Sequence, residues 1–378
     1  MIERTLFKEE HQLFRDNLKR FLAREVLPYH SQWEDRGYVD REIWRRAGFE
    51  GFLCPTVPET YGGSGADQLF SIAVIEEIAI AGASGLGWSL HSDVVAPYIM
   101  RYGTEAQKNR YLPNMVSGKV VGAIAMTEPG AGSDLKEILT TAKKDGDEYV
   151  VNGSKTFITN GHHCDMAILA VKTDPHEGAK GISLLLIDAT LPGFSRGKLL
   201  KKSGMSALDT TELFFDDMRV PVTNLLGHEG QGFAMLMEQL PWERLQAALF
   251  SVAAAEIALS ETIGYTRERR AFGQELLTFQ NTRFTLSELK TEVQIGRVFV
   301  DKCVELLLQG KLDATEASMA KYWATNLRFK VTDACVQMHG GYGYMQDYSI
   351  ARAWADAGIY RLAGGSNEIM KEVIGRSL

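Results

Sequence analysis

One stretch limits the fold more than any other: Leu240-Pro241-Trp242-Glu243-Arg244, followed by an apolar run over residues 245–259. Proline suits the first position of a helix, where its missing N–H has no intrahelical partner, so the sequence predicts a helix that starts at Pro241. At 3.6 residues per turn, Leu245, Leu249 and Val252 form one stripe, while Glu243, Ala247, Phe250 and Ala254 form another. Both are apolar, and a helix apolar on all sides is buried. A carboxylate in its first turn, beside the positive end of the helix dipole and next to an arginine, is either a paired structural group or a positioned base. Glu243 is the first candidate for chemistry.

Around this helix the chain changes texture twice. Residues 1–120 read as helical: Phe14, Leu18, Phe21 and Leu22 recur at helical spacing, a further helix is expected over 69–81, and Thr104 is placed to cap another. From 121 to 227 the pattern is that of short strands, at 120–126, 149–151, 155–159, 166–171, 182–188 and 212–215. Asn152-Gly153, between two of them, is a strong hairpin signal, and the spacing predicts a small antiparallel barrel or sandwich. From 228 to 378 long helical runs return at 241–269, 281–309 and 313–339, with a shorter one at 349–361. The expected fold is mainly α within an α+β class: an N-terminal helical domain, a middle β domain and a C-terminal four-helix bundle.

With 378 residues, 45% hydrophobic and 24% charged, the chain has the composition of a soluble multi-domain protein. A net charge of -7 with scattered basic residues gives no footprint for nucleic acid. Glu256 and Glu305 interrupt the longest apolar runs, so no membrane span is expected. The polar N-terminus leads to a cytoplasmic expectation. Cys54, Cys164, Cys303 and Cys335 are scattered, and His162-His163 has no third ligand at metal spacing, so neither a metal nor a disulfide framework is expected.

Several segments remain as candidates for ligand contact. Thr127-Glu128-Pro129-Gly130-Ala131-Gly132-Ser133-Asp134 follows a predicted strand, and lacks both a Walker lysine and a dinucleotide fingerprint. Its glycines allow close approach to a flat heterocycle or a phosphate, although by spacing alone it reads as an ordinary turn. Arg267-Glu268-Arg269-Arg270 ends a predicted helix, where cations complement the dipole. Gly364-Gly365-Ser366-Asn367-Glu368 closes one helix and starts another.

Five stretches in this order resemble the acyl-CoA dehydrogenase family over essentially the whole chain: residues 125–134, 152–155 with 157–161, Arg269-Arg270-Ala271-Phe272-Gly273, Gln337-Met338-His339-Gly340-Gly341, and 364–369. The resemblance implies an FAD enzyme that oxidises the Cα–Cβ bond of an acyl-CoA thioester to the trans-2-enoyl product. It further implies that Ala125, Met126, Thr127, Ser133, Phe157 and Thr159 contact the flavin. Arg269, Phe272 and Gln280 would hold the diphosphate and adenosine side, Gln337 and Gly341 would reach the cofactor of a neighbouring subunit, and Ser366 and Glu368 would contact FAD again. Ser133, Arg244, Gly364 and Gly365 are the implied substrate contacts. The implied partners are an electron-transfer flavoprotein and further copies of the chain, as a homotetramer built from two dimers.

Many members of the family carry the catalytic glutamate near the C-terminus, at the position that Gly364 occupies here. The isovaleryl and long-chain branches carry it one helix earlier, followed by arginine, and Glu243-Arg244 is similar to that arrangement. The nearest resemblance is to the long-chain branch, through Ala320-Lys321-Tyr322-Trp323-Ala324 and residues 367–372, and a medium- to long-chain substrate is expected. Trp242 and Ala363 depart from that branch, which has glutamine and an aromatic residue there. Two alternatives stand beside this reading: a flavin-dependent acyl-CoA oxidase on the same fold, and a catalytically inactive scaffold, the latter motivated by Gly364.

Overall fold

The structure, a computed structural model, describes residues 2–378. Six helices precede the sheet: α1 (Glu9–Phe21), α2 (Leu27–Arg36), α3 (Arg41–Phe49), α4 (Gln68–Ile80), α5 (Ala96–Tyr102) and α6 (Glu105–Val116). The predicted 69–81 helix is α4, with Asp67 accepting the Leu69 N–H at 2.9 Å as its N-cap. Thr104 caps α6 as expected: its hydroxyl accepts the Gln107 N–H, and the Gln107 side chain accepts the Thr104 N–H, a reciprocal capping box.

The middle segment is one eight-stranded sheet made of β1 (Gly122–Ala125), β2 (Thr141–Asp145), β3 (Glu148–Thr159), β4 (Met166–Lys172), β5 (Ile182–Asp188), β6 (Phe194–Leu199), β7 (Thr210–Pro221) and β8 (Leu225–Leu226). Its order is β6-β7-β3-β2-β4-β5-β8, with β1 beside β4. The expectation of an antiparallel arrangement needs correction, because β1 pairs with β4 in parallel, as does the single contact of β2 with β4. Every residue of β4 is buried, since both faces of the sheet are covered. Ile168 and Ala170 pack with Tyr98, Ile99 and Leu112 of α5 and α6; Ala167, Leu169 and Val171 pack with Val151, Leu213 and Phe215 on the other face.

Asn152-Gly153 is not a hairpin: β3 runs straight through it. Its pairing with β7 slips there, and a Cβ on Gly153 would sit 2.5 Å from the Thr140 hydroxyl, so the glycine serves a bulge and a close approach. The real turn lies at Gly146-Asp147, between the paired Asp145 and Glu148, where Gly146 has φ +63°.

Five helices complete the chain: α7 (Gly232–Glu268), α8 (Gln280–Leu308), α9 (Ala314–His339), α10 (Ser349–Ala357) and α11 (Asn367–Gly375). The predicted fourth helix stops at Ala357, and the tail beyond it is a short turn, a glycine pair and α11. The start of α7 is also corrected. It begins at Gly232, not at Pro241, which lies inside it. Gly232 rests on the backbone of β5, where a Cβ would be 2.8 Å from the Ile182 carbonyl oxygen, and Met235 and Leu236 bury against the sheet; these contacts outweigh the hydrogen bond that Pro241 forgoes.

Helix α7 is also the one helix among the described residues that is long and apolar enough to cross a membrane by length and composition. It is a core helix, with 67% of its apolar 18-residue stretch buried within the protein, and Glu256 on it is met by Arg297 at 2.6 Å. Leu245, Leu249 and Val252 of α7 share one core with Leu18, Trp44, Ile72 and Ile75 of the N-terminal helices and with Val300 and Ala320 of α8 and α9. This core fuses the two helical segments. Glu243 sits at the seam, close to α5.

Candidate active site

Because α7 starts eleven residues before it, Glu243 is not in a first turn, and the dipole argument for it fails. Its setting is made by tertiary contacts instead. The Tyr98 hydroxyl of α5, 1% exposed, donates to Glu243 Oε1 at 3.1 Å. The carboxyl is half-buried, and burial pushes its pKa up from 4.5 to about 7 against the pull of the Tyr98 hydroxyl and of Arg244. Arg244 does not answer Glu243 directly. It is buried, forms no ion pair among the described residues, and donates from Nη1 to the Ser318 hydroxyl of α9 at 3.1 Å, leaving its Nε without a partner.

Trp242 points to the neighbouring face of α7. Its indole N–H donates to the Asp93 carbonyl at 2.9 Å, and its ring lines a cleft of about 520 Å³ together with Ala96, Pro97 and Met100 of α5. Glu243 is not part of that cleft's wall. The tail loop carries Gly364 and Gly365 with φ of +66° and +86°, and a Cβ built on Gly364 would meet nothing within 4 Å, so the loop borders open space. Ser366 caps α11 by accepting the Ile369 N–H, and Glu368 in its first turn is exposed.

The residues expected around a flavin fall into two groups. In the first, the loop after β1 is tied to β3. The Thr127 carbonyl accepts the Thr156 N–H at 2.9 Å, and the Lys155 ammonium donates to the Met126 carbonyl at 3.0 Å and to Glu128 at 2.8 Å. Lys155 and Glu128 are both buried, and burial draws the lysine pKa down to about 8 although the partnered carboxylate opposes it. Ala125 is buried, Met126, Thr127 and Thr159 are half-buried, and Ser133 is exposed. Phe157 is 68% exposed and held at φ +59°.

The second group gathers at the far end of α7. Arg269 follows its last residue and lies over the Tyr342 ring; Phe272 is 96% exposed at φ +50°; Gln280 opens α8; and Gln337 and Gly341 are exposed at the end of α9. Residues 243 to 268 span 25 steps of α7, roughly 38 Å at 1.5 Å per residue. The two ends therefore belong to different places on the molecule.

Sequence reasoning missed Tyr98, which lies 145 residues from Glu243 and carries no local motif. It missed the buried Lys155–Glu128 pair as such, and the contacts of Lys321 with the tail loop.

Models of the acyl-CoA dehydrogenase N-terminal, middle and C-terminal domains match residues 8–119, 123–218 and 230–378. The chain belongs to the acyl-CoA dehydrogenase family. It is similar to the mitochondrial long-chain specific acyl-CoA dehydrogenase of Rattus norvegicus, 47% identical over 99% of this chain and 88% of that one. A crystal structure of acyl-CoA dehydrogenase from Geobacillus kaustophilus superposes with a TM-score of 0.98 at 48% identity, covering 99% of each chain. A glutaryl-CoA dehydrogenase from Mycobacterium smegmatis, in complex with FADH2, matches with a TM-score of 0.92 at 25% identity over 98% of this chain and 95% of that one. The family is one of FAD-dependent oxidoreductases, and this acyl-CoA dehydrogenase takes the same cofactor.

Proposed function

We propose that this acyl-CoA dehydrogenase oxidises a medium- to long-chain acyl-CoA thioester to the trans-2-enoyl-CoA, with Glu243 as the group that takes the α-proton. The observation that carries this reading is the state of Glu243, a half-buried carboxyl with one hydroxyl donor and no ion pair, titrating near 7. An α-proton beside a thioester is far less acidic than a carboxylic acid, so the base must be strong near neutral pH and the developing enolate must be stabilised. The Gly364 N–H, on a loop beside open space, is the proposed donor to the thioester oxygen. A donor of this kind is worth about 3 kcal/mol in the transition state. Arg244, anchored on Ser318, holds the base's segment of α7 in place.

Bound FAD supplies the acceptor for the hydride that leaves Cβ. The residues present fit such a group. Phe157 is a bulky side chain held at positive φ and turned into water, an arrangement costing on the order of 1 kcal/mol or more, which a flat apolar ring laid against it would explain. Ala125, Met126, Thr127, Ser133 and Thr159 would hold the same ring system, with Ser366 and Glu368 near it. Arg269, Phe272, Gln280, Gln337 and Gly341 gather at the end of α7 far from Glu243, so we assign all five, and not only the last two, to the cofactor of a second copy. The active form is then at least a dimer, and a dimer of dimers by family resemblance, with an electron-transfer flavoprotein as the electron acceptor.

The test is anaerobic bleaching of the flavin by acyl-CoA. Glu243→Gln should retain FAD and bleach about 10³-fold more slowly, whereas near-normal bleaching sinks the assignment. Slow reoxidation of the bleached enzyme in air, hastened by electron-transfer flavoprotein, is expected; fast reoxidation would mark an oxidase.

A further inference from the structure

The ammonium of Lys321, in the third turn of α9, is fully buried and forms no ion pair among the described residues. Its Nζ donates to the Gly365 carbonyl at 2.6 Å and to the Asn367 Oδ1 at 3.0 Å. Burial draws its pKa down to about 8, and the nearby Arg244 acts in the same direction, while the charge of Glu368, beyond ion-pair distance, opposes both. A cation held only by neutral acceptors is a costly way to fill space, which a methionine would fill without desolvation. What it holds is the tail loop. Gly364 and Gly365, both left-handed, lie between a short turn and α11, with no ladder to fix them. Asn367 completes the clamp, exchanging hydrogen bonds with Thr325 at 3.0 and 3.2 Å and donating to Asn326 at 3.1 Å.

Ser318, Lys321 and Thr325 recur at i, i+3 and i+7, so they share one face of α9. The first of them receives Arg244, the neighbour of Glu243; the other two hold the loop of Gly364. We infer that Lys321 is a positioning residue, and that this face of α9 sets the distance between the base on α7 and the oxyanion donor on the tail loop. Lys321 acts through the Gly365 carbonyl, two peptide units along the loop from the one that carries the Gly364 N–H. The inference rests on the roles proposed above for Glu243 and Gly364. A displacement near 1 Å in such a constellation costs about 10²-fold, similar to losing an oxyanion donor outright.

The experiment uses the FAD-loaded Lys321→Met and Lys321→Gln variants and an acyl-CoA analogue with sulfur in place of the β-carbon. That analogue loses its α-proton without being oxidised, and its enolate beside the flavin gives a long-wavelength charge-transfer absorption. The pH midpoint of that absorption reads the oxyanion donor directly, and it is measured with the flavin reduction rate and the thermal midpoint. With methionine the pH midpoint should rise by about two units and reduction by substrate should slow about 10²-fold. Glutamine, which keeps a donor of shorter reach, should fall between methionine and lysine. A pH midpoint within a few tenths of the parent enzyme, whatever happens to the thermal midpoint, leaves Lys321 a purely structural residue and overturns the inference. If the methionine variant does not fold, the glutamine variant decides by the same pH midpoint. Glu243→Gln separates the two levels: a wild-type reduction rate there removes the proposed function, while a dead Glu243→Gln beside unshifted Lys321 variants removes only this inference.

Discussion

Glu76 of α4 and Glu243 of α7 both lie inside the helical body, and burial pushes the pKa of each upward. They end far apart because of what meets them. Arg4, Arg15 and Arg297 reach Glu76 at 2.8, 2.9 and 2.6 Å, and their charges outweigh burial and hold it at about 2. Glu243 receives one tyrosine hydroxyl, while the arginine beside it turns to Ser318. Burial then wins, and the group titrates near 7. The difference teaches that burial by itself does not distinguish a structural carboxylate from a reactive one; the number of cations that answer it does. The Glu76 cluster joins the N-terminal segment to α1, α4 and α8, and through Arg297 to Glu256 of α7, so it braces the body in which Glu243 is left uncompensated.

The largest effect expected from breaking this contrast is at Glu76. Glu76→Gln removes the carboxylate that three guanidinium groups share, leaving Arg4 to Asp301, Arg15 to Glu77 and Arg297 to Glu256, and should cost about 3 kcal/mol in a urea or thermal unfolding measurement at neutral pH. A loss below 1 kcal/mol would show that these remaining partners suffice. The folded value of about 2 lies below the ordinary 4.5, so this contribution is complete above pH 4.5 and is lost as pH falls through 2. The gap between wild type and variant should close across that window.

At Glu243 the sign reverses. Its folded value of about 7 lies above 4.5, so stability drawn from its protonated form is present below 4.5 and is lost as pH rises through 7. Glu243→Gln, nearly dead in catalysis, should be more stable than wild type at pH 8 by about 2 kcal/mol, allowing for partial exposure, and equal to it at pH 4.5. A variant less stable than wild type at both values would contradict an uncompensated charge. The smallest change sharpens the same point: Tyr98→Phe removes the donor that favours the charged base, and should move the pH midpoint of flavin reduction upward by about one unit.

How much of this was legible in the sequence depended on whether the cause was local. Strand β5 matches its apolar run from Ile182 to Asp188, and Thr104 caps α6, because period and capping are properties of neighbours in the chain. Asn152-Gly153 and Pro241 misled because each has a second use set by distant contacts. Gly153 makes room for Thr140, and Pro241 is carried inside α7 by the packing of Gly232, Met235 and Leu236 against the sheet. Glu243 stood out through its position in an apolar run, yet the reason first offered, a helix terminus, was not the operative one. Its actual tuning comes from Tyr98, and the clamp on Gly365 from Lys321, contacts 145 and 44 residues apart that no spacing rule reaches.

The central claim is that Glu243 is the base and titrates near neutrality. Its most direct test is the pH dependence of kcat/KM for acyl-CoA, which reports the ionisations of the free enzyme. The account predicts a rise with unit slope and a midpoint at about 7. A profile flat from pH 5.5 to 8.5, or a midpoint near the ordinary carboxylate value of 4.5, would contradict it.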